Sequence, residues 1–167
     1  MNTSLNKGEF FLSMDKTKIQ ITKKGHDALE KELDELVNVK RPKLVERLSR
    51  ARSEGDLSEN SDYANAKEEL EFLDGRISEL ENVLKNAEVV KSNGGTESVN
   101  LGNAVKVKVD GNEQLYNIVG EWEANPNEKK ISHTSPLGQA LVGKKVGDKT
   151  EVEAPAGKLT YEIISIE

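Results

Sequence analysis

Asp56, Glu59 and Asp62 place three carboxylates within one short polar stretch, Gly55-Asp56-Leu57-Ser58-Glu59-Asn60-Ser61-Asp62-Tyr63. An Asp followed three residues later by Glu, just ahead of a helical pattern, is close to a capping box. Asp56 would then cap backbone amides while Glu59 favours the positive end of the helix dipole. The same oxygens are hard ligands suited to Mg2+, a cation that keeps several waters and shares its ligands with phosphate. One or two carboxylates on a turn do not hold Mg2+ well alone. They can complete the coordination of an ion partly held by another protein, and such an ion can activate water against a phosphodiester in a two-metal arrangement. Spacing alone leaves the capping and the metal-assisting readings open.

Two long helical patterns flank this stretch. Thr22 is a suitable N-cap for the first. Leu29, Leu33, Leu36, Val37, Leu44, Leu48 and Ala51 mark its apolar stripe. Pro42 interrupts that stripe; lacking a backbone donor, it predicts a kink or a division into two helices. In the second pattern Tyr63, Ala66, Leu70, Leu73, Ile77, Leu80, Leu84 and Ala87 alternate spacings of three and four, which is a heptad seam. Gly75 lies off the seam. A helix of about 30 residues is roughly 45 Å long. Two such helices joined by a short segment pair antiparallel, burying both stripes and leaving the acidic stretch at the far end.

Composition bounds the rest. The chain has 167 residues, 35% hydrophobic and 4% aromatic, with 32% charged. So little apolar bulk argues for an elongated piece plus a small globular one rather than a single large core. There is no cysteine, which excludes a disulfide framework and a thiolate metal site. His26 and His133 lie far apart, without metal-ligand spacing. No apolar run is long enough to span a bilayer and no signal-peptide pattern stands at the N-terminus, so a cytoplasmic protein with no membrane partner is expected. The net charge of −6 argues against a generic coat on nucleic acid, though not against a local basic patch.

Four segments follow: an N-terminal tail at 1–14, in which Met14 offers an alternative start, a coiled-coil hairpin at 15–90, a linker at 91–100 and a C-terminal domain at 101–167. In the last, the period changes from heptad to two. Ala104–Val109 reads as a strand, Asp110-Gly111-Asn112 as a turn and Leu115–Val119 as a second strand. Ser135-Pro136 opens a short helix through Val142, with serine as N-cap and Gly143 as C-cap. Thr150–Ala154 and Leu159–Ile166 are the remaining strands, separated by Pro155-Ala156-Gly157. The fold class is therefore a two-domain α+β protein: an antiparallel helical hairpin followed by a small antiparallel sheet with one helix.

The stretch Gly55–Tyr63, Ala51-Arg52 before it, the Ile21-Thr22…Gly25 opening, and Ser132-His133-Thr134-Ser135-Pro136-Leu137 with Leu141-Val142-Gly143 together resemble the GreA/GreB family of bacterial transcript cleavage factors. The resemblance runs from about Ile19 to the C-terminus, in the family's order and spacing. It implies a monomeric transcription elongation factor, not itself an enzyme, whose hairpin enters the secondary channel of RNA polymerase at the β′ subunit rim. Its tip carboxylates assist Mg2+ held in the polymerase active site, which cleaves the 3′ end of backtracked nascent RNA; no cofactor belongs to the factor alone. By motif position, Asp56 and Glu59 are the metal-assisting pair. Asp62 stands where the family usually has Glu, and its reach is one methylene shorter, so a structural role is open for it. Arg52 and Lys67 are similar to the basic patch that contacts RNA, with Arg50 and Tyr63 as lesser candidates. Ser132, Ser135 and Pro136 fall in the polymerase-docking region.

The C-terminal half also resembles FK506-binding (FKBP-like) prolyl isomerases, but offers only Tyr116, Trp122 and Tyr161 for an aromatic pocket, which argues against isomerase activity. A secondary-channel inhibitor of the same fold is the alternative function, opposed by the intact Asp56/Glu59 pair.

Overall fold

The computed structural model describes residues 18–53, 61–91, 95–155 and 157–167. The chain opens with a short strand β1 (Ile19–Thr22), then helix α1 (Lys23–Glu35). Thr22 is the N-cap, as its residue type predicts; its hydroxyl accepts a hydrogen bond from the Gly25 amide at 3.0 Å. A π-helical segment (Leu36–Lys40) separates α1 from α2 (Arg41–Ser53). There the Arg41 amide reaches back five residues to the Leu36 carbonyl. The wide turn lies just ahead of Pro42, whose ring would crowd the carbonyl four residues back in a regular α-helix. The division expected at Pro42 is therefore present, as a π turn.

Helix α3 (Ser61–Asn86) runs back antiparallel to α2. Three arginines fix the register through cross-helix ion pairs: Arg47 with Asp62 and Glu69, Arg41 with Asp74 at 2.7 Å, and Arg76 with Glu32 at 2.9 Å. Leu29, Leu36, Leu73, Leu80 and Val83 form the buried core between the helices, with Leu33, Leu44, Leu70, Ile77 and Leu84 packed around them. Ala51 and Ala66, 1% and 0% exposed, mark the seam towards the far end. The seam stops one residue earlier than its spacing predicts, because Ala87 opens strand β2 (Ala87–Val90). That strand pairs in parallel with β1, Ile19 opposite Ala87 and Thr22 opposite Val90, and ties the base of the hairpin together.

The C-terminal half holds β3 (Ala104–Val109), β4 (Asn112–Val119), two single 3-10 turns (Glu121–Glu123 and Pro126–Glu128), β5 (Lys130–Ser132), α4 (Pro136–Leu141), β6 (Lys149–Ala154) and β7 (Gly157–Ile166). The sheet order is β5-β4-β3-β7-β6. Asp110 and Gly111 both have positive φ, 49° and 83°, the two-residue hairpin turn that an Asp-Gly pair favours. The sheet is antiparallel, as expected, across β4-β3-β7-β6, and departs from that at one edge. The unanticipated β5 pairs in parallel with β4, after the chain has passed through both 3-10 turns. Helix α4 ends at Leu141, and Gly143, with φ of 80°, takes the left-handed position beyond it.

The core of this half is Val99, Val105, Val107, Ile118, Leu141, Tyr161, Ile163 and Ile166. Val99, in the segment expected as linker, is fully buried and exchanges backbone hydrogen bonds with Lys144 and Gly143 at 2.8 Å each. No helix among the described residues is long and apolar enough to cross a membrane.

Candidate functional site

The hairpin's far end is where α2 stops, at Ser53, and α3 begins, at Ser61. Asp56 and Glu59 fall between these positions and lie outside the described residues. What the structure gives is the frame on either side of them. Small side chains at Ala51 and Ala66 let the helix backbones approach closely there. Just inside this point, the Arg47 guanidinium bridges two acidic residues of α3, donating to Asp62 through Nε at 3.0 Å and through Nη2, and to both Glu69 oxygens through Nη1 at 3.1 Å. These hydrogen bonds, that of Asp62 first, hold the Arg47 pKa above its ordinary value. The Asp62 carboxylate thus takes part in a clasp between the helices. Neither periodicity nor charge pattern singles out Arg47; the signal is visible only once α2 and α3 are side by side.

The two cations predicted beside the tip stand on different helices. Arg52 is exposed on α2, next to the buried Ala51, and makes no ion pair among the described residues. Lys67 is exposed on α3, next to the buried Ala66, and lies 3.9 Å from Glu71 on its own helix. Arg50 lies 3.9 Å from Glu46. Pairs so exposed and so long hold their partners weakly and leave the cations able to exchange them for phosphate oxygens. Tyr63 is half-buried at the start of α3, as its place in the seam predicts.

At the other end of the molecule, the predicted docking residues form one tight turn. The buried Ser132 hydroxyl lies 2.7 Å from that of Thr134 and accepts from the Thr134 amide at 3.1 Å. Ser135 donates to the Ser132 carbonyl at 2.6 Å and accepts from the Gly138 amide at 3.1 Å, capping α4. Both serines are therefore used in shaping the turn. Pro136, at the first position of α4, and Thr134 are the exposed residues of the turn.

One grouping escaped sequence reasoning: His26, Asp27 and Glu30 on α1 bring potential ligand atoms within 4.8 Å of one another. They lie in the first turns of α1, and His26 is 3.6 Å from Glu30 and 3.9 Å from Asp27.

The family model described as transcription elongation factor, N-terminal, matches residues 19–89, and that described as transcription elongation factor, GreA/GreB, C-term, matches residues 94–167. The transcription elongation factor GreA of Bacillus velezensis is 46% identical over 148 residues, covering 87% of this chain and 94% of that one. That of Bacillus subtilis is 47% identical over 148 residues with the same coverage. Among solved structures, GreA factor homolog 1 of Thermus thermophilus is 28% identical and covers 90% of this chain and 99% of its own, with a TM-score of 0.43.

Proposed function

Because the chain belongs to the GreA/GreB transcription elongation factor family, we propose that it binds RNA polymerase at the secondary channel rim, inserts its hairpin and stimulates cleavage of the 3′ end of nascent RNA in backtracked complexes. The observation that carries this reading is the hairpin itself. Two helices of 13 and 26 residues, clamped by the Arg47 and Arg41 ion pairs, end at Ser53 and Ser61 with Arg52 and Lys67 exposed beside that end. A rigid two-helix arm is about as wide as two packed helices and delivers its end deep into a channel without unfolding.

The roles divide by chemistry. Asp56 and Glu59 offer hard carboxylate oxygens, the donor type that Mg2+ takes, so the residues fit the ion. Mg2+ resident in the polymerase supplies activation of water towards the phosphodiester. Arg52 and Lys67 hold the extruded RNA segment by its phosphates, which keeps the scissile bond in place. The turn at Ser132–Pro136 docks the C-terminal domain on the rim, through Pro136 and the backbone that both serines shape. The factor acts as a monomer in the cytoplasm and contributes side chains to an active site owned by the polymerase.

The test uses stalled, backtracked complexes with Mg2+. The wild type shortens the transcript from its 3′ end. Asp56→Asn with Glu59→Gln binds but loses cleavage by about 10²-fold or more, the scale of losing groups that act on a transition state. Full cleavage by the double variant would remove these residues from the mechanism. A wild type that binds and blocks cleavage would instead support the channel-inhibitor reading.

A further inference from the structure

In an ordinary capping box the N-cap hydroxyl takes the N3 amide, while a Glu at N3 reaches back to the N-cap amide. In α1 only half of this box is local. The Thr22 hydroxyl accepts from the Gly25 amide, but N3 is glycine and has no side chain to return. The first turn carries no acidic residue. The missing carboxylate comes from the other domain. Glu123 accepts the Thr22 amide through Oε2 at 2.8 Å and the Thr22 hydroxyl through Oε1, and Oε2 also takes the Gly120 amide at 3.1 Å. A Cβ on Gly25 would lie 2.0 Å from the Glu123 carboxyl carbon, so the glycine makes the space that the visiting carboxylate fills. Gly120 is similarly constrained, since a Cβ there would lie 2.4 Å from the Gln20 carbonyl oxygen of β1. Trp122, beside Glu123, packs against the hairpin core.

We infer that Glu123 is a positioning residue: it completes the capping box of α1 from the C-terminal domain and so sets the direction of the hairpin relative to the docking turn. The inference deepens the reading above and rests on it for its consequence, since a factor held at the rim by one domain reaches the reaction centre with the other only if the joint between them is fixed. The joint is charge-assisted, three donors converge on one carboxylate, and the positive end of α1 faces it.

Gly25→Glu separates capping from positioning. It supplies the N3 glutamate in cis, keeping α1 capped, and evicts the Glu123 side chain, whose flexible end can swing away. The chain has no cysteine, so Glu81→Cys on α3 and Glu151→Cys on β6 can be spin-labelled in the full-length protein. The wild-type background should give one narrow inter-label distance. Gly25→Glu and Glu123→Ala should both broaden it, with helicity by circular dichroism retained in Gly25→Glu, while Glu123→Gln keeps an acceptor oxygen and restores most of the narrow population. Cleavage in stalled complexes should fall about 10²-fold in Gly25→Glu, the cost of misplacing a reacting group by around an ångström, whereas competition for polymerase binding changes far less.

An unchanged distance distribution in both Gly25→Glu and Glu123→Ala would overturn the inference. So would a broadened one with wild-type cleavage. If the wild type itself fails to stimulate cleavage, the proposed function is what fails, and the distance measurement still decides whether Glu123 fixes the joint.

Discussion

Single residues in this chain are constrained most sharply where a backbone passes close by. Gly138, in α4, is an example: a Cβ there would lie 2.0 Å from the Ser132 carbonyl oxygen and 2.9 Å from the His133 Cα. Those atoms are backbone and cannot rotate away. Gly138→Ala should therefore destabilise the C-terminal domain by about 1–3 kcal/mol through overpacking. It should also push apart the turn that carries Ser132 and Ser135. Denaturant titration checks the first effect, and loss of polymerase binding with an intact hairpin checks the second. Tyr161 makes a different prediction. Burial first, then its neighbours Tyr116 and Asp110, raise its pKa above the ordinary 10.0. Below that pH the phenol is neutral folded and unfolded, and the stabilisation is fully present. As pH rises past it the unfolded chain ionises first, so stability is lost on approach to the folded-state pKa. The melting temperature should then fall more between about pH 9 and 11 in the wild type than in Tyr161→Phe. Equal falls would show that other groups account for the alkaline loss.

At the scale of elements, the π turn at Leu36–Lys40 is the best place to ask what a local irregularity does. It is equivalent to one extra residue in a helix, and it sits where Pro42 forbids a regular turn. Val39 within it is 43% exposed and contributes little to the core. Deleting Val39 alone should force Pro42 into a regular helical turn and destabilise the hairpin by about 3 kcal/mol, the cost of an internal proline. Deleting Val39 together with Pro42→Ala should recover most of the loss, because the Leu36 stripe and the Arg41 pair then meet α3 on a continuous helix. Recovery is read by thermal melting, and its absence would mean that the π turn serves something other than the proline. This element was half legible in the sequence. The proline announced an interruption, but nothing in residue types distinguishes a kink from a π turn. The seam of α3 was legible because its spacing of three and four repeats from Tyr63 onward, each position reporting on the same buried face. Strands β1 and β2 were not, since each is four residues long and finds its partner on the far side of the whole hairpin. Strand β5, three residues and parallel, carries no alternation to read. The clasp at Arg47 and the visiting Glu123 stayed hidden for the same reason: each joins residues far apart in sequence, and only pairing of elements reveals them.

Among the described residues the molecule has two hydrophobic cores. The hairpin core centres on Leu73, Leu80 and Val83, and the C-terminal core on Val107, Ile118 and Ile163. Across the boundary, Trp122 packs against the hairpin core, Glu123 binds Thr22, and Gly120 lies against the backbone of β1, where Ile21 is fully buried. Hydrophobic burial is what makes unfolding cooperative, so two cores with separate memberships should melt as two units. Leu80 has no exposed surface in the first core and Ile118 none in the second. Leu80→Ala should cost about 2–5 kcal/mol and Ile118→Val about 0.5–1.5 kcal/mol, each within its own domain. In scanning calorimetry, Leu80→Ala should move one transition and leave the other in place, and Ile118→Val should move only the other. A single transition displaced by both variants would mean that the joint at β1, Trp122 and Glu123 couples the two cores into one cooperative unit. Two independent transitions would fit two domains that are each rigid, with the angle between them set by the joint at β1, Trp122 and Glu123.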